Sequence, residues 1–375
     1  MNPIRHIDYE NLSELNLPFR KAYESVFHEL LEKGWFILGS ETAAFEKEFA
    51  AYLGSPYMLG LASGLDALEI PLKILDFPEG SEVIVPSNTY IATVNAVLNA
   101  GFRPVFAEAD IRSYTIDPER VEEKITPRTK AIIVVHLYGK PCEMDPILHL
   151  CRKHDLALIE DCAQSHGARY RGKATGTFGF GAFSFYPTKN LGALGDGGGI
   201  SVADEAIYQK LRAWRNYGSH IKYKNEYIGD NSRLDEIQAA FLRIKLAALD
   251  DINAHKRKLA NLYFELLDEN KFILPERKPY LEEVYHIFPV RHKKRDALRE
   301  YMLLHGIKTE VHYPIAPCDQ DSVRNFFNKK GWKLDPADFE LAREIHATIL
   351  SLPVSTIHSE EDVRHIAAIM NAFQE

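Results

Sequence analysis

A lysine in a glycine-rich turn and an aspartate at the end of an apolar run are the two residues here best suited to covalent chemistry. Lys189 lies in Ser184-Phe185-Tyr186-Pro187-Thr188-Lys189-Asn190-Leu191-Gly192, and Gly195-Asp196-Gly197-Gly198 follows shortly after. Upstream, the apolar run Leu156-Ala157-Leu158-Ile159 ends in Glu160-Asp161-Cys162-Ala163-Gln164. A primary amine can hold an aldehyde as a Schiff base, and a carboxylate can keep a pyridine nitrogen protonated so that the ring draws electrons. Pyridoxal 5′-phosphate (PLP) needs both groups. This pairing assigns Lys189 as the catalytic Schiff-base lysine and Asp161 as the partner of the ring nitrogen. Either residue alone reads as a solvated side chain; their shared context singles them out.

Such residues need a rigid frame. Between about 55 and 205, the runs Glu82–Val85, Pro104–Ala107, Ala131–Val135 and Leu156–Ile159 are continuously apolar or nearly so. That pattern marks strands covered on both faces, as in a mostly parallel sheet. Asp117-Pro118 and Asp145-Pro146 each read as an N-cap followed by a proline at the first helical position. Strands alternating with helices place a ligand site at the carboxyl ends of the strands. Ala62-Ser63-Gly64-Leu65-Asp66 reads as a turn into a helix, whose free N–H groups suit a phosphate or merely form a cap.

From Ser232 to about Asp250, Leu234, Ile237, Phe241, Ile244 and Ala248 recur at helical steps and predict one long amphipathic helix. A mixed pattern follows: a strand over Val284 to Val290, a helix ending at Gly306, a strand through Val311, and helices after Asp335-Pro336 and Ser359. The reading is a large α/β domain over residues 1–248 and a smaller α+β domain over 249–375. The apolar segment Trp35-Phe36-Ile37-Leu38 is either core or a dimer interface.

At 375 residues, 46% hydrophobic and 26% charged, the chain has the make-up of a globular protein large enough for two domains. A net charge of −8 argues against nucleic acid as the main partner. The basic stretch Arg291-His292-Lys293-Lys294-Arg295 reads as a solvated strand–helix junction. Cys142, Cys151, Cys162 and Cys318 have no metal-ligand or disulfide spacing, so no metal site is expected and a reduced, cytoplasmic setting is. No apolar run is long enough to span a membrane.

The chain also resembles the DegT-like family of PLP-dependent nucleotide-sugar aminotransferases. The likeness runs from Gly34-Trp35-Phe36-Ile37-Leu38-Gly39 through the Lys189 run and Asn231-Ser232-Arg233-Leu234-Asp235-Glu236-Ile237-Gln238 to His312-Tyr313-Pro314. It implies the aspartate aminotransferase fold (PLP fold type I) and a homodimer with shared active sites. It implies a phosphate held by the backbone of Gly64, Leu65 and Asp66, because Leu65 stands where many relatives have Thr, with the Ser184 hydroxyl and Asn216 of the neighbouring subunit assisting. Tyr90 matches the ring that stacks on the cofactor, although an aromatic in the core is its plain alternative. Gln164 matches the side chain that bonds the cofactor's phenolic oxygen. Tyr186, His312 and Tyr313 fall on the substrate side. Arg233 is either a substrate-phosphate ligand or a structural ion-pair member, and Asn216 could equally be a loop turn. The Lys189 run is most similar to the branch acting at carbon 3 of dTDP-3-keto-6-deoxyhexoses, with glutamate as donor. A carbon-4 enzyme and a non-catalytic regulator on the same scaffold are the alternatives.

Overall fold

The computed structural model describes residues 5–334 and 338–374. Its centre is a seven-stranded sheet: β1 (Tyr57–Leu61), β2 (Glu82–Pro86), β3 (Arg103–Ala107), β4 (Thr129–Val135), β5 (Ala157–Asp161), β6 (Phe180–Ser184) and β7 (Gly198–Val202). The spatial order is β1-β7-β6-β5-β4-β2-β3. β3, β2, β4, β5 and β6 run parallel, whereas β7 is antiparallel to both β6 and β1. The α/β reading therefore holds.

Why these strands are apolar throughout follows from the pleat. Val83 and Val85 join the core on one face with Leu68, Leu72 and Val97 of the helices Gly64–Ile74 and Ile91–Asn99. Ile84, between them, faces the other side with Ile132, Val134 and Ile147. Both faces are buried, so no position along the strand tolerates a charge without a partner. A third cluster packs Phe45 and Phe49 of the helix Ser40–Leu53 edge-on against Phe183 and Phe185, with ring centroids 5.0–5.6 Å apart.

C-terminal to this, β8 (Phe288–Arg291) and β9 (Ile349–Leu352) pair antiparallel under the helices Arg295–Leu304 and Glu360–Ala372. Leu259, Tyr263, Phe288, Leu350 and Ile366 form their shared core, and Ile7 from the N-terminal segment joins it. The chain also crosses back. Leu281–Glu282 pairs with Arg169–Tyr170, and Val323 and Phe327 of the helix Asp321–Lys330 pack with Phe106 in the large core.

Several elements depart from the sequence reading. The long helix expected from Ser232 begins only at Glu236 and breaks after Leu246; a second helix runs Leu249–Leu266. Ser232 lies outside the helix, its hydroxyl donating to Asp66 and accepting from Ala62 N–H. The break falls at Ala248, at φ −106° and ψ 2°, with Leu249 fully buried beyond it. Alanine favours helix, so packing rather than propensity sets this turn. Asp117 caps its helix by accepting from Glu119 N–H, but Asp145 does not: that helix begins at Met144, and Asp145 pairs with Arg171. The expected strand from Val284 is only β8, because Val284 and Ile287 donate to Gly139 and Tyr138. Near Val311 there is a single bridge, Glu310 to Ser351. Asp335 and Pro336 lie outside the described residues, and a helix Glu340–Thr348 follows them. Arg291 and Arg295 are buried rather than solvated, with Arg291 paired to Glu344.

Candidate active site

β2, β4, β5 and β6 end at one edge of the sheet, and the segments leaving them line a cavity of about 510 Å³. β5 delivers Asp161 to its floor, in register between Val135 of β4 and Ala182 of β6. The Asp161 carboxylate accepts from Thr93 Oγ1 (2.9 Å) and Ala163 N–H (3.1 Å). Burial raises its pKa, opposed by these two donors and by the charge of Lys189.

Behind Asp161, the side chains of His136 and Glu160 are fully buried. Glu160 accepts N–H bonds from Gly176, Phe178 and Gly179 at 2.7–2.9 Å, and His136 lies 3.1 Å from it. His136 Nδ1 accepts from Cys142 N–H (3.0 Å), so its proton is on Nε2, which donates to Glu160. His136, Glu160 and Cys162 converge within 4.8 Å, but their lone pairs are largely committed to these N–H donors, which suits a scaffold rather than a cation.

Lys189 reaches the same cavity from the turn after β6. Among the described residues no carboxylate sits within ion-pair distance of its amine. Burial lowers its pKa to about 8, against the opposing pull of Asp161 and Glu10. At pH 7 about one amine in ten is then unprotonated, against roughly one in three thousand for an ordinary lysine. The amine is primed to react.

The structure brings Gly64, Leu65, Tyr90, Asp161, Gln164, Ser184, Tyr186, Lys189, His312 and Tyr313 to this one cavity. Ser63 caps the helix Gly64–Ile74 by accepting from Asp66 N–H (3.1 Å), which commits that donor; Asp66 itself does not line the cavity. The turn is pressed flat on the sheet. A Cβ at Gly64 would lie 2.6 Å from Ser184 Cβ, and one at Gly198 2.1 Å from Ser63 O. Tyr90 is 53% exposed, which removes the core alternative, and its ring lies 5.1 Å from that of Tyr313. Gln164 accepts from Tyr138 N–H (2.6 Å) and donates to Tyr313 Oη (3.0 Å). His312 bonds Ser351 Oγ (2.9 Å), and burial lowers its pKa to about 4, leaving it neutral at pH 7.

Asn216 and Arg233 are elsewhere. Arg233 Nη1 donates to Asn216 Oδ1 (3.0 Å), and its guanidinium covers the Tyr217 ring. Asn216 lines a surface cleft with Leu38 and Gly39. Sequence reasoning missed Thr93, Tyr138 and His286. Thr93 follows Tyr90 by three residues at the start of the helix Ile91–Asn99, a spacing that brings both to one side. For Tyr138 and His286 the sequence carries no comparable signal. A larger cleft, about 760 Å³, lies against the helix Asp321–Lys330, so size alone would not select the site.

The donor set fits PLP: a buried carboxylate, an unpaired amine, a helix N-terminus pressed on the sheet and an open aromatic face. The sequence profile of the DegT/DnrJ/EryC1/StrS aminotransferase family matches residues 20–371. The chain belongs to that family. It is 46% identical over 369 residues to the dTDP-3-amino-3,6-dideoxy-alpha-D-galactopyranose transaminase of Aneurinibacillus thermoaerophilus, covering 98% of this chain and 99% of the relative. DesV of S. venezuelae, solved in complex with a ketimine intermediate, superposes with a TM-score of 0.92 at 40% identity over 96% of both chains. NtdA of Bacillus subtilis, solved with bound cofactor PMP, superposes at 0.89 with 28% identity, covering 98% of this chain and 86% of that one. This DegT-family chain is therefore a PLP-dependent aminotransferase. Among its described residues no helix is long and apolar enough to cross a membrane.

Proposed function

We propose that this aminotransferase moves an amino group from glutamate to carbon 3 of a dTDP-linked 3-keto-6-deoxyhexose. The observation that carries the reading is Lys189 and Asp161 facing one cavity, in a chain collinear with a carbon-3 transaminase. Bound PLP supplies the electron sink for a carbanion next to nitrogen. Asp161 holds the ring-nitrogen proton, and the Thr93 and Ala163 donors fix its carboxylate toward that task. Lys189 would hold bound PLP covalently, and its freed amine would accept and hand on the proton of the substrate carbon. Free N–H groups of Gly64 and Leu65, with Ser184, bind the phosphate, and Asn216 of the partner subunit completes that contact. Tyr90 would cover the ring face and Gln164 would bond the phenolic oxygen. Tyr186, His312 and Tyr313 orient the sugar, and Arg233 meets its diphosphate across the subunit boundary.

The test is direct. Purified protein with glutamate and a panel of nucleotide-linked 3-keto and 4-keto sugars should aminate the dTDP-3-keto sugar, as read by NMR of the product. Lys189→Ala should lose both the visible absorbance of lysine-bound cofactor and turnover. Normal turnover in that variant overturns the assignment, and a 4-amino product replaces carbon 3 with carbon 4.

A further inference from the structure

Tyr138 sits in the turn that follows β4, at φ 62° and ψ 4°. A tyrosine seldom takes this left-handed conformation, and such outliers persist where their surroundings fix them. Here they do. The residue is 4% exposed, and two carbonyls of its turn accept from the far side of the cleft: Gly139 O from Val284 N–H (3.0 Å) and Tyr138 O from Ile287 N–H (3.3 Å). A Cβ at Gly139 would lie 2.9 Å from His286 N, so the two backbones are in close approach.

Tyr138, Gln164, Tyr313 and His312 close a ring of contacts. Tyr138 N–H donates to Gln164 Oε1 (2.6 Å), and Gln164 Nε2 donates to Tyr313 Oη (3.0 Å). His312 precedes Tyr313 in the chain, and its carbonyl accepts from Tyr138 Oη (2.5 Å). A backbone N–H can only donate, so it fixes which end of the Gln164 amide is oxygen. Gln164 Nε2 keeps a second N–H for an acceptor in the Lys189 cavity.

The segment carrying His312 and Tyr313 needs such support. Among the described residues, Val311 to Ile315 belong to no helix or strand and make no backbone–backbone hydrogen bond. Side chains hold this arm instead. Tyr138 bonds the His312 carbonyl, His346 Nδ1 donates to the Tyr313 carbonyl (2.6 Å), and Ser351 bonds the His312 ring. Of these three, Tyr138 is the one that also bonds Gln164.

We propose that Tyr138 is a positioning residue for amino transfer: it ties the His312–Tyr313 arm to Gln164, so that the sugar stays in register with the cofactor. Tyr138 does not line the Lys189 cavity and acts through these neighbours. The inference rests on His312 and Tyr313 facing the sugar.

Tyr138→Phe removes one oxygen and keeps the N–H that bonds Gln164. Tyr263→Phe is its control, because it deletes a comparable hydroxyl bond, to Pro353 O (2.8 Å), within the C-terminal core. Hydrogen–deuterium exchange is read by mass spectrometry on the full-length chain freed of cofactor. Tyr138→Phe should speed exchange of the peptide carrying His312 and Tyr313 by about threefold or more, and Tyr263→Phe should leave it as in wild type. In the loaded enzyme, Tyr138→Phe should raise the KM for the keto sugar by roughly three- to tenfold, the scale of one lost hydrogen bond. The KM for the amino donor and the rate at which that donor bleaches the cofactor absorbance should stay in place. Combined with Tyr313→Phe, its effect on the sugar KM should be less than additive. Unchanged exchange in Tyr138→Phe, or donor and sugar KM rising together, overturns the proposal. Should that variant misfold, Tyr313→Phe opens the same ring at Gln164, and wild-type exchange of its arm peptide overturns the proposal instead. Failure of the wild type to aminate any keto sugar would remove the functional reading while leaving the exchange result intact.

Discussion

Asp161 shows how one residue's role depends on its donors. Its burial alone would favour the neutral acid, which cannot hold a pyridinium. Thr93 and Ala163 donate to the carboxylate and Lys189 adds a positive charge nearby, so the ionised form is supported without a direct salt bridge. Asp161→Asn keeps the size and loses the charge. It should cut turnover by several orders of magnitude, on the scale of a removed electrostatic catalyst, while far-UV circular dichroism stays native. A loss under about tenfold, roughly 1.4 kcal/mol, would deny the role. Asp161 and Lys189 were legible in the sequence because their chemistry demands particular residue types in particular settings. Thr93, Tyr138 and His286 were not. Each matters through a contact made across the fold, such as Thr93 to a carboxylate 68 positions away, and neither composition nor periodicity encodes such distances.

At the scale of elements, continuous apolarity gave β2 to β5 correctly because both faces are covered, and hydrophobic pattern reports coverage well. It misled wherever a tertiary contact overrode local preference. The residues from Ser232 to Asp250 keep helical spacing, yet Ser232 bonds Asp66 and Ala62, and the helix starts at Glu236. Glu236 itself has a task the pattern hides. The helix Ser40–Leu53 begins at Gly39 with no cap of its own, and buried Glu236 accepts from the N–H groups of Gly39 (2.7 Å), Glu41 (2.9 Å) and Thr42 (2.9 Å). One carboxylate thus satisfies three orphan donors at the positive end of a helix dipole. Glu236→Gln puts an amide donor against those N–H groups and removes the charge. It should destabilise the fold by roughly 2–3 kcal/mol, seen as a lower denaturant midpoint with an unchanged slope. An unmoved midpoint would mean that water caps this helix equally well.

At the scale of the whole molecule, one protomer leaves two loose ends. Trp35, Phe36 and Ile37 are 64%, 51% and 40% exposed, which rules out the core alternative for these side chains, although the Phe36 carbonyl accepts from Glu236 N–H and Ile37 bridges to Asp235. Asn216 borders the same region: it shares a cleft with Leu38 and Gly39, outside the Lys189 cavity. A two-fold dimer that buries Trp35–Leu38 would carry Asn216 toward the partner's phosphate site, and one arrangement would account for both features. Asn216→Ala should then weaken cofactor binding without unfolding the protomer, because among the described residues its side chain makes one hydrogen bond, accepting from Arg233. Mixing inactive Lys189→Ala chains with Asn216→Ala chains, at cofactor levels that leave the latter empty, gives a decisive measurement. In each mixed dimer one site carries both defects and the other carries neither. With equal amounts and free exchange, half the dimers are mixed, so activity should return to about a quarter of the wild-type site number. If each chain builds its site alone, every site in the mixed dimer keeps one defect, and mixed dimers confirmed by mass spectrometry would stay inactive.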